Sequence, residues 1–76
     1  MASILDLKIG EIAKITAYSS LSIPPRICEM GLLPGIILSV VSKTFLNQTI
    51  FVQNNQSNLK IILRKTEAKY ILIEKL

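Results

Sequence analysis

The sequence predicts a small, mainly β protein, built as a partly open barrel of five short strands with one short helix. Apolar and polar residues alternate along most of the chain, which is the period of a strand. Residues 23–35 break that period with the signals of a helix start and a tight turn. The 76 residues, half of them hydrophobic, predict one domain over 1–76. Barrel closure suits so short a chain because it removes sheet edges and buries apolar side chains.

The first part of the chain holds one predicted strand. A lead-in over residues 5–9 places Leu5, Leu7 and Ile9 on one side and ends at Gly10. The first strand follows over residues 13–18, and a loop over 19–22 comes after it. The inward side chains of this strand are expected to be Ala13, Ile15 and Ala17.

The middle of the chain predicts a β hairpin. Residues 36–45 are rich in β-branched side chains and form the long second strand, and residues 49–53 form the third. Asn47-Gln48 is the predicted turn between them. The inward residues are Leu38, Val40, Ile50 and Val52.

The last third predicts two more strands. Residues 54–58 have the composition of a turn, and their asparagines tolerate the left-handed backbone region. The fourth strand covers 59–64, a single helical turn covers 65–69, and the fifth strand covers 70–75. Their inward residues are Leu59, Ile61, Leu63, Ile71 and Ile73.

Residues 23–35 predict a short, strongly capped helix. Proline suits a first turn, so the helix is expected to begin near Pro25. Gly31 fits the left-handed position just past the helix end. With Met30 as the C-cap, Leu32 would contact Ile27, as a Schellman ending favours. One side of the helix would then cover an end of the barrel with Ile23, Ile27 and Met30.

A type II turn is predicted directly after the helix. In Leu33-Pro34-Gly35-Ile36, proline occupies the second position and glycine the third, where φ is positive. The helix end and the turn together predict a rigid, projecting corner.

Residues 26–35, 63–68 and 7–15 carry motifs that resemble those of the FeoA family, small accessory proteins of bacterial ferrous iron transport. Residues 26–35, RICEMGLLPG, resemble the family motif R-L-x-E-[LM]-G-L-x-P-G. Residues 63–68, LRKTEA, resemble its L-R-x-x-E-A signature, and residues 7–15, LKIGEIAKI, are similar to its first strand. The three segments occur in the family order and cover nearly the whole chain.

The resemblance implies an SH3-like barrel with a helix between the first two strands and a helical turn before the last strand. It also implies a cytoplasmic protein that acts with FeoB, the membrane ferrous iron transporter that carries a GTPase domain. The same barrel occurs at the C-terminal end of some iron-dependent repressors, so a free-standing regulatory domain is an alternative. Asparagines stand at 47 and 54–58, where the family often has glycine near turns.

We expect partner contacts on the corner and on outward apolar positions. Gly31, Pro34 and Gly35 are expected to act mainly through backbone geometry. Arg26 could pair with Glu29 one turn away, and Arg64 with Glu67, or Glu67 could cap the turn after the fourth strand. The candidate partner-binding residues are Arg26, Glu29, Met30, Gly31, Leu32, Leu33, Pro34, Gly35, Arg64, Glu67, Phe51 and Leu72.

Six apolar residues remain on the outward faces of the predicted strands. A small barrel has one interior, so some of them should form an external patch. That patch could mediate self-association or docking on the FeoB cytoplasmic region. The six residues are Ile12, Ile37, Phe51, Ile62, Tyr70 and Leu72.

The composition argues against catalysis and direct metal binding. The chain has no histidine and one cysteine, so it cannot form a Cys-His pair. Its five acidic residues lack the spacing of a metal site. We therefore predict no catalytic residue, no metal ligand and no cofactor, and we expect Cys28 to be buried or half-buried apolar filler.

A net charge of +4 keeps nucleic-acid binding as the alternative function. The lysines are spread singly from Lys8 to Lys75, and the densest group is Arg64-Lys65 with the nearby Lys60 and Lys69. The chain has two tyrosines, two phenylalanines and no tryptophan for base stacking. A solvated surface is the preferred interpretation of the charge. A binder of proline-rich peptides is disfavoured because its groove needs an aromatic cluster.

Overall fold

The computed structural model describes residues 2–20, 23–44, 46 and 48–76. Four predicted positions lie outside these ranges. They are Leu21 and Ser22 of the predicted loop, Phe45 at the end of the predicted second strand, and Asn47 of the predicted hairpin turn.

The described residues form five strands, two short α helices and one 3₁₀ turn. In chain order these are a 3₁₀ turn at Ile4–Asp6, β1 at Ile12–Tyr18, α1 at Pro25–Glu29, β2 at Ile37–Lys43, β3 at Thr49–Asn54, β4 at Lys60–Arg64, α2 at Lys65–Ala68 and β5 at Ile71–Lys75. The helix between the first two strands and the helical turn before the last strand lie where they were predicted.

The strands form one antiparallel sheet in the order β4-β3-β2-β1-β5. Register shifts interrupt β1 between Ile15 and Ala17 and β2 between Val40 and Ser42. Such bulges bend a strand and increase its twist, which lets a short sheet curl around one core. Strands β4 and β5 are the two ends of the sheet, so the barrel is partly open, as predicted.

The core follows the predicted alternation. The predicted inward residues that are buried are Ala13, Ile15, Leu38, Val40, Ile50, Val52, Ile61, Leu63, Ile71 and Ile73. Ile27 and Leu32 join them from the segment after β1, and Ile23 and Met30 pack against the core from its edge. The helix therefore covers one end of the barrel.

Two residues of the alternating apolar pattern are exposed. Ile9 is 61% exposed because it lies in the turn before β1, where Gly10 has a φ of +90° and the period of a strand does not apply. Leu59 is 57% exposed because β4 begins one residue later, at Lys60. Ala17 is only half-buried, next to the bulge in β1.

The lead-in is a 3₁₀ turn and not an extended segment, which corrects the prediction for residues 5–9. Ser3 Oγ accepts a hydrogen bond from the Leu5 N–H at 3.3 Å, and Asp6 Oδ2 accepts one from the Ser3 N–H at 2.8 Å. This reciprocal pair is a capping box, and the Ser-x-x-Asp sequence carried its signal. Ile4 and Leu7 are fully buried as a result.

The N-terminal segment covers the outer edge of β5. Ser3 forms an isolated bridge with Leu72, and the Ile73 N–H donates to the Ala2 carbonyl at 2.9 Å. Strand β4 lies at the other end of the sheet, and within the described part of the chain its one strand partner is β3.

Five of the six outward apolar residues lie one on each strand, and Tyr70 directly precedes β5. Phe51 and Ile62 are directly opposite each other on β3 and β4, whereas Leu72 lies on β5 at the far end of the sheet. Ile12 is 45% and Ile62 55% exposed. The remaining four are half-buried. The outward surplus is therefore real, and Phe51 and Ile62 form a cross-strand pair within it.

No helix among the described residues is long and apolar enough to cross a bilayer.

The turn before β1 predicts a contribution to stability that depends on pH. Glu11 Oε1 accepts a hydrogen bond from the Lys8 N–H at 2.6 Å, and its other oxygen lies 3.5 Å from Lys75 Nζ. The backbone hydrogen bond and then the Lys75 charge hold the pKa of Glu11 below its ordinary value of 4.5. Because the pKa of Glu11 is lower in the folded state than in the unfolded state, its carboxylate stabilises the fold at pH values above 4.5. This contribution is lost as the pH falls through the folded-state pKa.

We expect Glu11→Gln to lower stability at neutral pH and to flatten the decline on acidification below pH 4.5. Urea unfolding at a series of pH values measures both effects. Glu74→Gln is the control, because it also removes an exposed carboxylate from the same region. Identical pH profiles for the Glu11 variant and the unchanged protein would contradict the expectation.

Candidate functional site

The segment from residue 23 to residue 36 forms a fixed corner at one end of the barrel, which we call the motif corner. Helix α1 begins at Pro25, as predicted, and Met30 is its C-cap. The Gly31 N–H donates to the Cys28 carbonyl at 3.0 Å and the Leu32 N–H to the Ile27 carbonyl at 3.1 Å. These two bonds, with Gly31 at a φ of +90°, are the predicted Schellman ending.

The predicted type II turn follows at once. The Ile36 N–H donates to the Leu33 carbonyl at 3.0 Å, and Gly35 has a φ of +96°. Proline at the second position fixes the φ of the turn before the protein folds. The turn delivers the chain directly into β2.

Strand β1 holds the motif corner at two points. The Gly35 N–H donates to the Ile15 carbonyl at 2.7 Å, and the Tyr18 hydroxyl donates to the Leu32 carbonyl. Cys28 Sγ lies 3.5 Å from the same hydroxyl oxygen. Burial, and then the contact with Cys28, raise the pKa of Tyr18 above its ordinary value of 10.0, so the hydroxyl remains a donor throughout the neutral range.

Asn54 attaches the corner to the end of β3, and sequence reasoning did not single it out. It is 4% exposed, and its Nδ2 donates to the Gly31 carbonyl at 3.4 Å. Its Oδ1 accepts from the Gln56 N–H at 2.9 Å, which orders the following loop. Asn58 in that loop has a φ of +60°, so an asparagine does adopt the left-handed region there, as expected. The signal for Asn54 was its place as the first asparagine of a turn.

Arg26 and Glu67 join the two sequence motifs. The Arg26 guanidinium donates twice to the Glu67 carboxylate, from Nε to Oε2 at 3.0 Å and from Nη2 to Oε1. The Glu67 side chain is 11% exposed and the Arg26 side chain 41%. A bidentate arginine–carboxylate pair with one partner buried fixes both direction and distance, so it holds α1 against α2.

Glu67 also caps the turn after β4. Its Oε1 accepts from the Arg64 N–H at 2.9 Å, which confirms the capping alternative for this pair. Of the two alternatives for Arg26 and Glu29, the structure does not show the ion pair, because Arg26 pairs with Glu67. Glu29 is exposed at the end of α1, whereas the buried Glu67 carboxylate requires a cation more strongly.

The turn of the motif corner presents apolar side chains to solvent. Leu33 is 45% exposed, Pro34 is also exposed, and Met30 is half-buried. Leu32 is fully buried, so it packs the core from inside the corner. Cys28 is exposed, which corrects its assignment as filler. It lies one residue beyond Ile27, and a helix with Ile27 inward turns the next side chain outward.

Two open clefts flank the motif corner. One, of about 470 Å³, lies beside the ion pair and is lined by Pro24, Arg26, Arg64, Thr66, Glu67 and Tyr70. The other, of about 430 Å³ and with a more apolar lining, lies between β1, α1 and the turn, and is lined by Thr16, Ala17, Tyr18, Ser20, Ile23, Cys28 and Pro34. The corner thus offers an apolar tip between a charged and an apolar recess, which suits recognition of another surface.

Within the described part of the chain, no three side chains of the metal-ligating types come together. The other candidate residues are dispersed. Phe51 is on the outer face of β3 and Leu72 on β5, and neither belongs to the motif corner.

A family model described as the FeoA domain matches residues 3–75. The chain belongs to the FeoA family. The match includes all three segments that carry the resemblance and both partners of the ion pair between α1 and α2. A comparison with curated proteins gives no match.

Solved structures of FeoA proteins have the same fold. FeoA of Chlorobium tepidum is 26% identical with a TM-score of 0.85, over 99% of this chain and 70% of that one. Iron(II) transport protein A of Clostridium thermocellum is 28% identical with a TM-score of 0.87, over 99% of this chain and 46% of that one. Both likenesses extend along the entire SH3-like barrel and the motif corner.

A third likeness bears on the fold alone. FeoA of Stenotrophomonas maltophilia, solved in complex with zinc and described as a prokaryotic SH3 domain protein, is 22% identical with a TM-score of 0.80. The alignment covers 97% of this chain and 91% of that one. It confirms the SH3-like architecture.

The ion pair between Arg26 and Glu67 predicts a coupling between α1 and α2. Arg26→Met leaves a buried carboxylate without its cation and is expected to cost about 1–3 kcal/mol of unfolding free energy. In the double variant with Glu67→Met the cost should be less than the sum of the two single costs, because neither partner is left unpaired. Urea unfolding of the four proteins measures this cycle.

The control for that cycle is Arg64→Met. It removes an exposed guanidinium but keeps the backbone N–H that Glu67 accepts from, so its effect should stay within about 0.5 kcal/mol. Additive costs for Arg26 and Glu67 would show that the two side chains do not hold the helices together.

The positive φ of Gly35 predicts a cost for any branched side chain there. A Cβ on Gly35 would meet no atom within 4 Å, so the cost comes from the backbone conformation and not from a clash. Gly35→Val should destabilise the protein by about 1–2 kcal/mol. Gly35→Asn should cost less, since asparagine tolerates positive φ. Thermal unfolding measures both, and equal stabilities for the two variants would contradict this account.

Proposed function

We propose that the chain supports bacterial ferrous iron uptake from the cytoplasm, by binding the cytoplasmic GTPase region of a FeoB membrane transporter. The observation that carries this proposal is membership of the FeoA family over residues 3–75. A solved relative is itself named for iron(II) transport. The described residues bring together no cluster of metal-ligating side chains, and we place the connection to iron in the partner.

The motif corner is the proposed contact surface. Hydrogen bonds from β1 and β3 and the ion pair to α2 fix its shape before any partner arrives. A surface that is already ordered loses little conformational entropy on binding, so even a small tip can contribute affinity. Leu33 and Pro34 supply the exposed apolar area of that tip.

The outward apolar residues are a second proposed surface. Phe51 with Ile62 on β3 and β4, and Leu72 on β5, lie at opposite ends of the sheet. We propose that one of these places contacts the transporter or a second copy of the chain, and that the domain acts as a unit over residues 1–76.

Binding to the isolated GTPase region tests which surface acts. Leu33→Asp places a charge in the tip and is expected to weaken binding at least tenfold if the tip is buried in the complex. In the same assay, Phe51→Glu shows whether the surface at Phe51 and Ile62 contributes to binding, and Leu72→Glu shows the same for the surface at Leu72. Calorimetric titration measures affinity, and circular dichroism verifies that each variant folds.

The matched control is Ile9→Asp, which places the same charge on an exposed isoleucine in the turn before β1. Equal affinities for the Leu33 and Ile9 variants would rule out the corner as the contact. Failure of the unchanged chain to bind the GTPase region, together with normal ferrous iron uptake in a deletion strain, would overturn the proposed function. Salt-sensitive binding to an oligonucleotide would favour the nucleic-acid alternative instead.

A further inference from the structure

The outer edge of β4 is an unpaired strand edge. Strand β4 is the last strand of the sheet, and among the described residues only β3 pairs with it. At the other end, the N-terminal segment covers β5 through Ser3 and Ala2. An unpaired edge presents a row of backbone donors and acceptors on which an extended chain can form a further strand.

The pairing pattern shows which β4 residues turn their backbone groups to that edge. Leu63 lies opposite Ile50. Two residues after Leu63 and two residues before Ile50, the Lys65 N–H donates to the Gln48 carbonyl at 3.1 Å, so the same alternation continues past the strand ends. Backbone groups alternate between the two edges of a strand. Residues 61 and 63 therefore face β3, and residues 60, 62 and 64 face outward.

Two side chains from the motif contacts reach the same edge. Arg26 Nη2 lies 3.5 Å from the Ile62 carbonyl oxygen, and Glu67 Oε1 accepts from the Arg64 N–H at 2.9 Å. Both contacts are consistent with the outward direction of these backbone groups. Glu67 closes the edge at Arg64, whereas the contact from Arg26 to the Ile62 carbonyl is long, and its loss leaves both bonds from Arg26 to Glu67 in place. The free stretch is consequently short, from Lys60 to Ile62.

The side chains on the outer face of β4 define what could pair there. Lys60, Ile62 and Arg64 are all exposed, in the order cation, isoleucine, cation. Same-face residues on paired strands stand directly opposite each other, so their charges interact. A strand added to this edge would favour an apolar residue opposite Ile62 and acidic residues two positions away on each side.

A second copy of the chain fits this edge poorly. Two β4 strands paired antiparallel about Ile62 would place Lys60 of each copy opposite Arg64 of the other. Like charges directly opposite each other are destabilising, and edge lysines commonly prevent such self-pairing. The net charge of +4 adds to the repulsion between copies.

We propose that the outer edge of β4 binds an acidic extended segment of a partner protein by strand addition. Ile62 exchanges both backbone hydrogen bonds with the apolar residue of that segment, which displaces the Arg26 contact at its carbonyl. Lys60 and Arg64 pair with the flanking carboxylates. The inference rests on the proposed action through protein contacts, but it does not require that the transporter carries the segment.

Titration of the ¹⁵N-labelled protein with short blocked peptides tests the proposal. In the probe peptide valine is the central residue, and a glutamate lies two positions from it on each side. Threonine occupies the positions between and outside these three residues. Amide shifts should be centred on Lys60 and Ile62. A peptide with lysine in place of both glutamates should bind at least fivefold more weakly because its charges repel Lys60 and Arg64. A peptide with an N-methylated valine should also bind at least fivefold more weakly because it lacks the N–H that donates to Ile62.

A matched pair of protein variants completes the test. Lys60→Glu and Lys8→Glu each lower the net charge from +4 to +2, since one positive charge is replaced by a negative one. Only Lys60→Glu should weaken binding of the acidic peptide, by about fivefold, and the same variant should bind the lysine peptide more tightly than the unchanged protein does. Both lysines are exposed, so the variants are expected to fold.

Three outcomes would overturn the proposal. They are no binding of the acidic peptide, shifts centred on the motif corner, and equal weakening by the Lys60 and Lys8 variants. None of these three outcomes changes the result of the binding assay with the GTPase region. Conversely, loss of binding to the GTPase region in Leu33→Asp does not change the result of the peptide titration. Failures of the two proposals are therefore distinguishable.

Discussion

The bidentate contact between Arg26 and Glu67 is the interaction on which the organisation of the candidate site depends. It joins the first turn of α1 to the turn after β4, so residues 41 positions apart become neighbours. The same carboxylate accepts from the Arg64 N–H and ends the free edge of β4. One buried acidic side chain thus positions a helix, caps a turn and limits a strand edge, which gives Arg26 and Glu67 a structural role.

The motif corner achieves rigidity through backbone geometry supported from three sides. A Schellman ending and a type II turn define its path locally, and Tyr18, Asn54 and Arg26 attach it to β1, β3 and α2. Burial of Leu32 anchors it from within, while Leu33 and Pro34 remain outside. A corner of this kind can present an apolar tip without collapsing onto the core. A small barrel has a small core, and apolar side chains that stay outside it add little to its stability. Contacts other than core packing must therefore hold the corner in place.

The strand pattern was predictable because one face of each strand is buried and a period of two then becomes visible in the sequence. The prediction failed where that condition did not hold. Ile9 and Leu59 lie outside the ladder and are exposed, and the lead-in at Ile4–Asp6 is a 3₁₀ turn whose capping signal is two polar residues. Cys28 is exposed because a five-residue helix has room for one buried face, already occupied by Ile27.

The sequence by itself determined the SH3-like fold class, the helix end at Gly31, the type II turn and the FeoA family, because these depend on local conformation and on residue order. Only the tertiary structure decided that Arg26 pairs with Glu67 and not with Glu29, that Asn54 supports Gly31, and that Phe51 stands opposite Ile62. Such choices depend on burial and on contacts between distant segments. A buried carboxylate selects whichever cation the fold brings within reach, and spacing along the chain carries no record of that selection.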